Sequence, residues 1–75
     1  MEFKKSVSIT NCEDLIKHCE IRDDCLFIID EIKENNTLDE VLQYFSNLDF
    51  DCDDIYNFFI FEIDDYEDLM QKIKD

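Results

Sequence analysis

Apolar residues recur along the chain with helical spacing. Cys25, Ile28, Ile29 and Ile32 fall at i, i+3, i+4 and i+7, while Asp30, Glu31, Lys33 and Glu34 take the other face. That pattern predicts a helix over 23–34. Asn35 and Asn36 are placed to end it, asparagine being the good left-handed residue in a chain without glycine. A short motif recurs three times: Cys12-Glu13-Asp14-Leu15-Ile16, Leu38-Asp39-Glu40-Val41-Leu42 and Tyr66-Glu67-Asp68-Leu69-Met70. Each copy follows a residue able to cap a helix, namely Thr10 or Asn11, Thr37, and Asp64 or Asp65. Thr37 with Glu40 has the spacing of a capping box. Helices are expected over 12–21, 38–48 and 65–74.

Two stretches alternate instead. Val7-Ser8-Ile9 and Phe61-Glu62-Ile63 lead straight into caps, and Phe58-Phe59-Ile60-Phe61 has strong strand propensity. Strands are expected over 3–9 and 56–63. The resulting fold class is α+β and mainly helical, with about four short helices and two short strands. The alternative is an all-α bundle, because Ile55, Phe58, Phe59, Ile63, Tyr66, Leu69, Met70 and Ile73 would also line one long helix over 53–74. Only Glu62 interrupts that stripe.

At 75 residues and 45% hydrophobic content, the chain supports a single small domain, 1–75, with a thin core. Missing residue types exclude whole classes of chemistry. With no glycine it cannot build a Walker loop, a dinucleotide fingerprint or a nucleophile elbow, each of which needs backbone that glycine adopts freely. Alanine is missing too, and the bias toward Phe, Tyr, Ile, Asn and Lys is that of AT-rich codons. A low-GC bacterium or one of its phages is the expected source. No signal peptide or membrane span is expected, since the longest apolar run is 25–29. The expected location is the cytoplasm of the host cell.

Four cysteines, Cys12, Cys19, Cys25 and Cys52, lack any C-x2-C spacing and are expected reduced and packed. A zinc site built from Cys12 and Cys19 with His18 and either Cys25 or Cys52 would rest on unspecific spacing. Asp49, Asp51 and Asp53 imitate the start of an EF-hand, but Asp54 stands where that loop needs glycine and Ile60 where it needs glutamate. His18 has no oxyanion-hole pattern near it, and so small a domain lacks walls to enclose a substrate. Neither a metal nor a cofactor is expected, and enzymatic activity is not expected.

Charge is the feature above background. The formal net charge is −14, from 21 Asp plus Glu against 7 Lys plus Arg. Residues 1–22 sum to zero, and residues 34–71 hold twelve carboxylates with no Lys, Arg or His. Such imbalance opposes compaction and repels nucleic acid and anionic membranes. First-turn carboxylates suit the positive end of a helix, which accounts for Glu13, Asp14, Asp39, Glu40, Glu67 and Asp68 as structural residues. Asp49 to Asp54 are left over, in a solvated turn between helix and strand.

A globule of this length is roughly 30 Å across, so its charge amounts to about one per 2 Å, near the one per ~1.7 Å of duplex DNA. The expected function is that of a small acidic inhibitor from a phage or mobile element, which occupies the basic channel of a host defence or nucleic-acid enzyme. Anti-CRISPR and anti-restriction DNA mimics act in this way, and the likeness is one of size and charge alone. The expected partner is a basic nucleic-acid-binding protein or nucleoprotein complex, with no direct contact to nucleic acid or membrane. The expected contact residues are Asp49, Asp51, Asp53, Asp54, Asp64, Asp65, Glu67 and Asp68, with Tyr56 as an aromatic anchor. Neutralising Asp49, Asp51, Asp53 and Asp54 together is expected to abolish inhibition and spare the fold. The alternatives are an immunity protein for a basic nuclease toxin, or an adaptor that self-pairs through Phe58, Phe59 and Phe61. Whether the chain is a monomer or a homodimer stays open.

Overall fold

Four helix starts, each led by two acidic residues, organise the computed structural model, which describes residues 9–75. The helices are α1 Cys12–Cys19, α2 Leu26–Glu34, α3 Leu38–Asn47, α4 Cys52–Asn57 and α5 Tyr66–Lys74. A 3-10 turn, Asp23–Cys25, leads into α2, and one turn of π-helix, Phe58–Glu62, extends α4. Among the described residues there is no strand, and the architecture is all-α. The α+β expectation is therefore overturned. Of the strand expected over 3–9, only Ile9 lies within the described residues, and it is fully buried without strand conformation.

The strand expected over 56–63 fails for a packing reason. Neighbouring residues of a strand point to opposite faces, yet Phe58 and Phe59 are both buried. A helix puts Ile55, Phe58 and Phe59 on one side, and tertiary burial overrides local β-propensity. The single helix over 53–74 does not form either. Ile63 is extended at φ −137° and ψ 150°, and Asp65 opens a new helix. The wider π-turn carries Glu62 to the outside and lets Ile63 enter the core, which removes the polar interruption from the apolar stripe.

Three helices end on residues in the left-handed region: Glu20 (φ 53°), Asn36 (φ 54°) and Asp49 (φ 59°). The same hydrogen bond closes each end. Ile21 N–H donates to the Ile16 carbonyl, Thr37 N–H to that of Ile32, and Phe50 N–H to that of Phe45, at 3.1 Å each. These are Schellman endings. Glycine normally takes this position, and here Glu, Asn and Asp substitute for it. Glu20 ends α1 two residues earlier than the 12–21 expectation.

The core joins Cys12, Leu15 and Cys19 of α1, Ile28, Ile29 and Ile32 of α2, Val41, Leu42 and Phe45 of α3, Ile55, Phe58 and Phe59 of α4 and its π-turn, and Leu69 of α5. Phe45 sits among the rings, stacked on Phe50 at 5.7 Å and edge-on to Phe58 at 5.2 Å and Phe59 at 6.0 Å. Helix α1 packs on α2 and α4, and α5 packs on α2 and α3. The extents are 29 × 27 × 23 Å. Among the described residues no buried side chain is polar or charged, cysteine aside. No helix there is long and apolar enough to cross a membrane.

Candidate functional site

Apart from Asp49, which follows α3, the acidic residues singled out by their sequence sit at the starts of α4 and α5. Asp51 is the N-cap of α4: its Oδ1 accepts from Asp54 N–H at 2.9 Å, and Asp54 Oδ2 accepts in return from Asp51 N–H at 3.2 Å. This reciprocal capping box satisfies two backbone donors that the helix itself leaves unpaired. Asp65 caps α5 in the same way, accepting from Asp68 N–H at 2.9 Å, while Asp68 Oδ2 reaches back to Asp64 N–H at 2.9 Å. At α1 the arrangement recurs, with Asn11 Oδ1 accepting from Asp14 N–H at 2.8 Å. Asp14 Oδ2 accepts from Thr10 N–H and from its hydroxyl.

Asp51-Cys52-Asp53-Asp54-Ile55 is thus a further copy of the motif that opens α1, α3 and α5. The carboxylates between 49 and 54 are not left over from helix-start chemistry, because Asp51 and Asp54 perform it. Asp49 supplies the left-handed residue that closes α3. Neutralising all four together would therefore disturb the fold as well as the surface. Thr37 departs from expectation in the other direction. Its side chain caps nothing, and its hydroxyl lies 2.9 Å from the Tyr66 hydroxyl, tying the start of α3 to the start of α5.

The expected contact residues divide into two groups. The run from Cys52 to Glu62 spans about 15 Å along its axis, so Asp49, Asp51, Asp53 and Asp54 lie at one end of it and Asp64, Asp65, Glu67 and Asp68 beyond the other. Asp54 lines a groove with Tyr44, Phe50, Phe58, Phe61 and Glu62, whereas Asp64 lines a second groove with Arg22, Asp24 and Phe27. Tyr56 is half-buried on α4, less an exposed anchor than its sequence position implies. The anchor that the sequence pattern did not single out for this face is Phe61, 75% exposed, with Leu48 at 46% in the same groove. Phe58 and Phe59 are buried, so the self-pairing strand of the adaptor alternative has no counterpart.

Acids outnumber bases on this body. Residues 1–8 carry Lys4, Lys5 and Glu2, a sum of +1, which leaves −15 on residues 9–75. Of the twelve carboxylates in residues 34–71, eleven are exposed and Asp51 is half-buried. Two cations are engaged elsewhere: Lys33 Nζ pairs with Glu13 Oε1 at 2.9 Å between α2 and α1, and Arg22 with Asp24 Oδ2 at 2.8 Å. The hydrogen bond from Lys33 holds the Glu13 carboxyl below its usual range and the Lys33 ammonium above its own.

Cys12, Cys19 and Cys25 are buried thiols and Cys52 is half-buried. Burial pushes the Cys19 thiol far up, and the neighbouring Cys52 thiol and the Asp51 and Asp53 carboxylates add to it. Burial also raises Cys12 and Cys25. The Cys25 thiol donates to the Phe59 carbonyl at 3.5 Å. His18 is exposed. Among the described residues no three His, Cys, Asp or Glu side chains are grouped to hold a metal ion. Comparison with protein-family models, with curated proteins and with solved structures finds no match.

Proposed function

We propose that this chain is a small acidic inhibitor that occupies the basic nucleic-acid channel of a host defence or nucleic-acid enzyme, its carboxylates standing in for phosphates. One observation carries the reading: the base-free stretch 34–71 folds into α3, α4, the π-turn and most of α5 with eleven of its twelve carboxylates exposed. Fifteen net negative charges on residues 9–75 within a longest extent of 29 Å give about one per 2 Å, close to duplex DNA. Helix-start chemistry explains where several of these acids sit. It does not explain the lack of any lysine or arginine in α3 and α4, since a lysine four residues after a first-turn acid would stabilise either helix, as Lys72 does after Asp68 in α5.

The test is competition with duplex DNA on a panel of RNA-guided nucleases, restriction enzymes and basic nuclease toxins. The chain is expected to displace DNA from a member of the panel at low salt and to lose that effect steeply as ionic strength rises. Neutralisation must spare the caps, so Glu34, Asp39, Asp53 and Glu67 are changed together to their amides. That variant is expected to fold normally and inhibit at least about tenfold less, a loss of some 1.4 kcal/mol. Equal inhibition by the folded variant, or salt-insensitive inhibition, would overturn the reading.

A further inference from the structure

Resting on the inhibitor reading, we infer that the groove beside the π-turn seats an arginine side chain of the basic partner. Tyr44, Phe50 and Phe58 form its aromatic floor, with Tyr44 5.9 Å and Phe50 6.0 Å from the Phe58 ring. Phe61 lines the same groove with three quarters of its surface in water, and Asp54 and Glu62 complete a cavity of about 320 Å³. Phe58 is buried and Tyr44 and Phe50 are half-buried, so Phe61 is the ring of this groove most open to a partner.

The π-turn is what presents Phe61. It buries Phe58, Phe59 and Ile63 and leaves Phe61 and Glu62 outside, adjacent to each other at the groove. Single π-turns within helices occur frequently where function needs a side chain re-aimed.

Charge selects the occupant. A second copy of this chain would bring −14 of its own, and a base of a nucleic acid would bring the backbone phosphates attached to it, so both are repelled. A cation flanked by apolar atoms is complementary to aromatic faces rimmed by carboxylates. Arginine fits better than lysine, because a planar guanidinium stacks on rings and offers a fork of donors to a carboxylate. Asp54 gives one oxygen to the Asp51 N–H and keeps acceptor sites for such a fork. Lys72 of α5 lines the groove too, so two carboxylates oppose one ammonium before the partner arrives.

Two 12-residue peptides probe this, identical in sequence and charge except that one carries arginine between leucines and the other lysine. At 0.15 M salt the arginine peptide is expected to bind about fivefold more tightly, with amide shifts clustered at Tyr44, Phe58 and Phe61. Phe61→Ser is expected to keep the helical circular dichroism and lysine-peptide affinity but to lose the arginine preference. Lys72→Gln is expected to tighten arginine-peptide binding by roughly threefold, as one competing charge is removed. Equal affinity for the two peptides, or a preference that survives Phe61→Ser, overturns the groove as an arginine seat and leaves the inhibitor reading in place. An uncharged leucine-serine peptide that binds as well as the arginine peptide overturns it in favour of an apolar occupant. Binding of neither charged peptide even at 20 mM salt overturns the acidic-surface reading beneath it.

Discussion

Glu20 shows how a chain without glycine ends its helices, and at what cost. An L-residue with a Cβ in the left-handed region costs about 1 kcal/mol or more relative to glycine. Asparagine and aspartate soften that cost through local hydrogen bonding, and glutamate does so less well. Glu20→Gly is therefore expected to stabilise the fold by about 0.5–1 kcal/mol, read as a rise of a few degrees in the thermal midpoint. An unchanged or lowered midpoint would contradict the strain assigned to Glu20. The Cys19 thiol makes a second prediction at this scale. Burial raises its folded pKa above the ordinary 9.0, so its contribution to stability is intact below about pH 9. It falls as pH rises beyond that, since the unfolded chain then ionises while the folded one does not. Denaturant titrations between pH 8 and 11 are expected to show declining stability, and Cys19→Ala is expected to flatten that slope while lowering stability throughout.

At the level of elements, three of the four acidic helix starts share one capping chemistry and the fourth departs from it. Asn11, Asp51 and Asp65 accept from the third helical N–H, whereas the Thr37 hydroxyl is hydrogen-bonded to the Tyr66 hydroxyl. Asp51→Ala is expected to destabilise by about 1 kcal/mol and to show faster amide exchange in α4. Asp53→Asn, one step inside the same helix, is expected to change stability by less than about 0.5 kcal/mol. Similar losses from both changes would mean that net charge, and not the cap, governs this helix. Most of this was legible without the tertiary structure. The periodicity of α2, the repeated motif that starts α3, a cap at Asp64 or Asp65 and an asparagine ending at Asn35 and Asn36 follow from local pattern. The start of α4 carried the same cap-x-acid-acid-aliphatic pattern, but the run of Phe and Ile after it has the composition of a strand, and the two signals conflict.

For the molecule as a whole, excess negative charge acts on folding and on binding with opposite signs. Salt screens the repulsion among like charges on one surface and equally screens attraction to a basic partner. Raising sodium chloride from 20 to 500 mM is expected to raise the thermal midpoint of the free protein while weakening any complex it forms. A midpoint that falls with salt would mean that attractive pairs such as Lys33–Glu13 outweigh the repulsion. The core has little to spare under that load. Phe45 is fully buried among four other rings, and Phe45→Ala is expected to cost about 3–5 kcal/mol. That is much of the stability of a chain this size, so chemical denaturation of the variant should show a population already unfolded in buffer.

Local pattern by itself determined that this chain is helical over most of its length, that it lacks nucleotide-binding loops, and that its acids cluster without compensating bases. Those properties depend on residue type and near-neighbour spacing, which the linear order contains. Only the tertiary structure decided that residues 56–63 complete a helix through a π-turn, that Asp51 and Asp54 cap it, and that Phe61 faces solvent while Phe58 and Phe59 do not. The reason is that burial is a property of the assembled body. Phe45, fixed on α3, fills the space that Phe58 and Phe59 must share, and the wider turn is how one helix meets that demand and still turns Glu62 toward water.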